Sequence, residues 1–308
     1  MILEHVAYVE LPPHAKTGGF DHADTHCSNG RLYVAHTAND AVDVIDCITD
    51  RYLHSIPGLA SVAGVLVSEE TNLVFTSNRG EDTLAIFAPD AEKDRSKVTV
   101  GHRPNGLAYD PRRRVLLVAT VGDPAVQHST TVSIVDVQKK SLVASVIMPG
   151  RTRWTIFDEQ QDAFFVNIAA PPSIVVINAG YPEEIARAYA VPAAGPHGLA
   201  LDPKTHRLFC ACDAKRLICL DARSGKVLSD LALSGAPDVI FFSEKFRRLY
   251  VAIGDRGVID VVDTGAMRLI ETTSTESGAH TIGFDAQRDK IYAFLPQTHR
   301  AAVYHDRG

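Results

Sequence analysis

Apolar positions along the chain fall in short runs rich in Val, Ile, Leu, Phe and Tyr, broken by Asp-Pro, Asn-Gly, Ser-Gly or Gly-Asp steps. Runs of this kind between turn-forming dipeptides predict strands joined by tight turns. No segment shows the periodicity of an amphipathic helix. The pattern also repeats. Pro104-Asn105-Gly106-Leu107-Ala108-Tyr109-Asp110-Pro111, followed by Arg114-Val115-Leu116-Leu117-Val118-Ala119 and Thr131-Val132-Ser133-Ile134-Val135-Asp136, returns as Pro196-His197-Gly198-Leu199-Ala200-Leu201-Asp202-Pro203, then Arg207-Leu208-Phe209-Cys210-Ala211, then Arg216-Leu217-Ile218-Cys219-Leu220-Asp221. Further copies begin at Val62, Pro237 and Ala279, and weaker ones at Asp21 and Thr152. Equivalent positions lie 42 apart from Ala63 to Asn105, then 48 to Arg153, 44 to His197, 41 to Asp238 and 42 to His280.

Short strands at a fixed period of about 40 residues are the mark of propeller blades. Seven copies predict an all-β fold, a seven-bladed β-propeller with four antiparallel strands per blade, in one domain over residues 1–308. The last copy supplies only three strands, while Glu4 to Leu11 reads as an extra strand ahead of the first copy. The N-terminal strand is therefore expected to complete the last blade, closing the ring and leaving no open sheet edge.

Composition narrows the function classes. With 308 residues, 45% of them hydrophobic, the chain can bury a large core, which excludes a disordered segment. A net charge of -6 offers no basic field for phosphate backbones, so nucleic acid is not an expected partner. No run approaches the roughly 18 apolar residues of a membrane span. The first residues lack the basic and apolar regions of a secretory signal, and a cytoplasmic location is expected. The five cysteines form no C-x-x-C pair, and Cys210 and Cys212, two apart on a strand, are expected as reduced core residues sharing one face.

The repeats resemble the YVTN-type propeller family through Leu32-Tyr33-Val34-Ala35, Leu249-Tyr250-Val251-Ala252 and Val42-Asp43-Val44-Ile45-Asp46. The likeness extends over nearly the whole chain and implies the seven-bladed fold. It also implies that the innermost strand of each blade begins at a central channel, so that the residue before the Gly-Leu-Ala step faces the axis. In blade order that position holds Asp21 or His22, Ala63, Asn105, Arg153, His197, Asp238 and His280. Spacing gives 42 to Asp21 and 41 to His22, which leaves open which of the two faces inward.

His, Asp and His in succession on neighbouring blades point to a divalent or transition metal ion held by His22, His197, Asp238 and His280. Asn105 and Arg153 on the opposite half, with Trp154 as a stacking wall or a core filler, are expected to orient a small anionic or carbonyl-bearing substrate. His26 or His102 is the expected general base beside Arg153, although His26 also stands where other blades carry the turn-forming Asp. The alternative to a site is a wet channel whose polar residues are satisfied by water. Related propellers include sugar lactonases, streptogramin lyases and redox proteins with axial histidines. The expected function is metal-dependent hydrolysis or elimination. Metal-dependent redox chemistry on the same ligands and non-catalytic binding of a protein or small molecule are the alternatives. The longer connection from Val121 to Ser129 is expected to be a lid or a tolerated insertion.

Overall fold

The computed structural model describes residues 1–308 and contains seven four-stranded antiparallel sheets. Their innermost strands are Phe20–His26, Val62–Ser68, Pro104–Asp110, Thr152–Asp158, Pro196–Asp202, Pro237–Ser243 and Ile282–Asp285. Each packs against the next, and the seventh packs against the first, which closes the ring. In six blades the order within the sheet follows the chain. The seventh takes its outermost strand from the N-terminus, where Leu3–Glu10 pairs antiparallel with Arg300–Asp306, as the repeat count predicts. The only helical elements are two 3-10 turns, Thr37–Asn39 and Glu92–Asp94, and no helix is long and apolar enough to cross a membrane.

The strand pattern follows from where each side chain goes. Second and third strands are buried on both faces, between their own blade's neighbours and the adjoining blade, so they read as nearly continuous apolar runs such as Leu32-Tyr33-Val34-Ala35. Tyr33, Phe75, Phe164, Phe165, Phe209 and Tyr250 are wholly buried there, each worth about 1.5–3 kcal/mol of burial. Outermost strands face water on one side and alternate. Cys210 and Cys212 are free and buried, with their sulfurs 3.8 Å apart, as expected of core residues.

Two recurring residues acquire a cause. The Asp that ends most inner strands caps the following turn: Asp110 Oδ1 accepts from the backbone N–H of Arg112 and Arg113, and Asp202 Oδ1 from Lys204 and Thr205. The Gly after the axial residue marks a close approach between blades. A β-carbon at Gly64 would lie 2.2 Å from the carbonyl oxygen of Asn105, and one at Gly198 would lie 2.4 Å from that of Asp238. Side chains of second strands grip axial carbonyls as well: Ser77 Oγ donates to Asn105 O at 2.7 Å, and Asn167 Nδ2 donates to His197 O at 2.9 Å. The axial positions are thus held from behind by the preceding blade.

Candidate functional site

Inner strands of the first six blades lose register with their neighbours at the axial position, between Phe20 and Ala23 in the first and between Pro196 and Gly198 in the fifth. Such a bulge turns a side chain out of the regular alternation, here towards the channel. In the first blade it brings in both residues that spacing left open. Asp21 meets Arg79 (Oδ2 to Nη2, 3.3 Å) while the buried His22 stacks on Trp154 with ring centroids 4.2 Å apart. Blades one and four stand across the ring from each other, so this contact spans the channel. Trp154, also edge-on to Phe241, is neither plain core nor an open wall: with His22 it divides a polar mouth from a cavity of about 480 Å³ below.

His197, Asp238 and His280 come together at the mouth. Asp238 accepts from His197 Nε2 at 3.1 Å through one oxygen and from His280 Nδ1 at 3.0 Å through the other. His197 Nδ1 donates to Asp213 at 2.7 Å. Arg153 Nη1 lies 3.2 Å from His197 Nε2, and its Nη2 lies 3.6 Å from Asp213. Asn105 is buried and accepts from Arg79 Nη2 at 2.8 Å, so it aims an arginine.

The charges of this network are set by competition. Burial opposes the imidazolium of His197, but the charge of Asp238 and hydrogen bonds to Asp213 and Asp238 outweigh it and push the group up to about 9. His280 moves up in the same way: burial is overcome by its hydrogen bond to Asp238 and that carboxylate's charge. Burial acts on Asp238 as well, yet the two imidazoles hold its carboxyl well below the usual carboxylate range. His22 goes the other way, lowered first by burial, with Asp21 and Asp238 compensating only in part. Arg151 is lowered by burial and by the positive charges of Arg153, Arg103 and Arg79, so four guanidiniums crowd one side of the mouth.

The residues expected to hold a metal or to act as base have different surroundings. His22, His197, Asp238 and His280 do not form a coordination set, and no group of three or more His, Cys, Asp or Glu side chains is arranged to hold a metal ion. The physical reason is that both Asp238 oxygens and both His197 nitrogens are committed to each other or to Asp213, with a guanidinium against the nitrogen a cation would need. His26 lies at the far end of its strand, about 13 Å from His22 and about 16 Å from Asp21 at roughly 3.3 Å per residue. There it meets Asn72 Oδ1 and Ser28 Oγ, each at 3.0 Å, and serves the turn. His102 is exposed and bound to Asp82 at 2.9 Å rather than to the network. The imidazole in the channel that burial keeps neutral is His22.

Arg79 and Asp213 were not singled out in the sequence. Both are the residue immediately after the second strand of their blades, on loops that rise around the mouth. Comparing the repeats at that position, which reads Thr37, Arg79, Val121, Ala169, Asp213, Gly254 and Pro296, exposes them as two charged exceptions. The connection from Val121 to Ser129 borders the same face, bonded to the carbonyls of Arg103 and His102, and Ser129 Oγ ties it to Asp123. It is a compact rim loop.

A family model described as lactonase, 7-bladed beta-propeller, matches residues 25–145. That stretch includes Arg79 and Asn105 but stops short of Arg153 and the histidine network. The chain is 21% identical over 293 residues to the uncharacterized protein YncE of Salmonella typhimurium, covering 89% of this chain and 68% of that protein. It is 20% identical over the same span to YncE of Salmonella typhi. Among solved structures, hydrazine synthase of Kuenenia stuttgartiensis superposes with a TM-score of 0.81 at 14% identity, over 94% of this chain and 97% of that one, a likeness of fold. The resemblance to seven-bladed propellers read from the repeats is borne out.

Proposed function

We propose that the chain is an enzyme acting at the channel mouth on a small anionic, carbonyl-bearing substrate, by hydrolysis of an ester or lactone. The observation that carries this reading is charge. Arg79, Arg103, Arg151 and Arg153 gather at one side of the mouth, where Asp21 and Asp213 are the carboxylates that meet them, in a channel that a neutral imidazole helps to floor. Guanidiniums recognise carboxylate or phosphate through paired N–H donors, and Asn105 and Asp213 fix two of them in place.

In the reaction, Arg79 and Arg153 hold the anionic end of the substrate. The Nε2–H of His280, whose Nδ1 donates to Asp238, faces the carbonyl oxygen and stabilises its developing negative charge, while His197, with both N–H groups spent on Asp213 and Asp238, holds that array in place. His22 takes a proton from water as the water oxygen adds to the carbonyl carbon. The tetrahedral intermediate expels the alkoxide, which recovers that proton from His22, leaving a hydroxy acid from a lactone or an acid and an alcohol from an ester. Each of these steps uses only side chains of this chain.

The test is a panel of small lactones and esters with and without a carboxylate or phosphate, followed by acid release. Turnover confined to anionic substrates, with Arg153→Gln raising KM and His22→Gln lowering kcat by about a hundredfold or more, supports the proposal. Binding without turnover supports a non-catalytic ligand-binding propeller instead. Activity lost on chelation and restored by a divalent cation moves the chemistry to the metal-dependent reading on His197, Asp238 and His280.

A further inference from the structure

The channel below Trp154 has a chemistry unlike the mouth. Its cavity of about 480 Å³ is lined by 24 residues, 16 of them hydrophobic, which suits a compact apolar body rather than a sugar or a phosphate. The aromatic faces of Trp154, Phe157 and Phe241 contribute to the wall. Two buried hydroxyls of lining residues, Tyr109 Oη and Thr155 Oγ1, have no hydrogen-bond partner, although Tyr109 is 8% and Thr155 3% exposed. Buried polar atoms in this condition ordinarily have a partner.

Asp24 stands in the same wall, two residues beyond His22 on one face of the inner strand. Its oxygens accept from the backbone N–H of Val67 at 2.7 Å and of Thr25 at 2.8 Å, which joins blade one to blade two, and no cation is paired with it. Burial pushes its carboxyl up to about 6 despite those two bonds, and the charge that acts on it is another negative one, Glu69. Glu69 and Glu70 also line this chamber. An apolar chamber with aromatic side chains and an inner carboxylate that no cation meets, beside two exposed carboxylates, lacks a positive charge on a hydrophobic body.

We infer that the lower chamber is a second binding site, for a small hydrophobic organic cation such as an arylalkyl- or alkylammonium. The ammonium pairs with Asp24 and lies against aromatic faces, where a desolvated cation is favoured, and the hydrocarbon fills the rest. The site is independent of the mouth, whose excess of arginines repels a cation.

Isothermal titration of the full chain with benzylammonium chloride near neutral pH tests this, with benzyl alcohol and benzoate as neutral and anionic counterparts. The expected result is one saturable site per chain, at least about tenfold tighter for benzylammonium than for either counterpart. Asp24→Asn should weaken it about tenfold or more, Leu201→Trp should abolish it by filling the chamber, and Arg153→Gln should leave it unchanged. Equal binding of benzyl alcohol or benzoate overturns the inference, as does binding indifferent to both chamber variants, or no saturable binding at all. Should Asp24→Asn not fold, the ligand comparison and Leu201→Trp decide.

Discussion

Replacing His197 by Gln removes the one imidazole held between two carboxylates, and its cost depends on pH in a way the geometry fixes. Raising an imidazole from 6.5 to about 9 is worth about 3 kcal/mol at roughly 1.4 kcal/mol per pH unit. The Asp213 carboxylate is 43% exposed, so solvent screens part of the interaction and about 2 kcal/mol is expected. Below the unfolded value near 6.5 the imidazole is charged in both states and the full contribution is present. Between there and about 9 the unfolded chain gives up its proton while the folded one keeps it, so stability falls as pH rises, and above 9 the contribution is gone. Urea unfolding of wild type and His197→Gln from about pH 6.5 to about pH 9.5 measures it, because the difference cancels lysines and tyrosines that titrate in both. The gap between the two proteins should narrow by about 2 kcal/mol across that range. Curves that stay parallel would refute the charged state of His197 and with it the cationic character of the mouth.

Two further outcomes follow from the fold. Gly198→Ala places a β-carbon 2.4 Å from the Asp238 carbonyl oxygen, so blades five and six must move apart; a loss of about 1–3 kcal/mol in chemical denaturation is expected, and a neutral effect would remove the close-approach explanation of the repeat glycine. Deleting residues 1–11 strips the outer strand from the last blade and frees the N–H row of Arg300–Asp306. Size-exclusion chromatography should then show dimers or larger aggregates, and a stable monomer would mean that the edge is protected by something other than Leu3–Glu10.

The ring was legible because its elements recur: between Ala63 and His280 the same strands and turns return five times, and no tertiary contact was needed to read them. The axial residues were legible for the complementary reason, that they differ where all else repeats. Three things were hidden. The bulge between Phe20 and Ala23 admits both Asp21 and His22, and spacing arithmetic presumes only one inward residue per strand. His26 shares its strand with the axial pair, but strand length carries it to the far end of the channel. Arg79 and Asp213 enter from loops, outside the pattern that defines the axis.

The loops also decide what the mouth attracts. Among the axial side chains, leaving His280 aside, Arg153 and His197 are balanced by Asp21 and Asp238, and a ring of those alone carries no surplus of charge. Its histidines and carboxylates then look like metal donors, which is how residue type alone presents them. The arginine cluster comes from Arg79, Arg103 and Arg151, which gather beside Arg153, while Asp213 and Asp255 lie on the His197 and His280 side, all on connecting segments. With Arg153 pressed on His197 and Asp213 behind it, the same donors become a protonated hydrogen-bonding array. Preference for an anion is therefore a property of the segments around the ring, which tolerate substitution, while the blades supply only the frame that holds His197, Asp238 and His280 in contact.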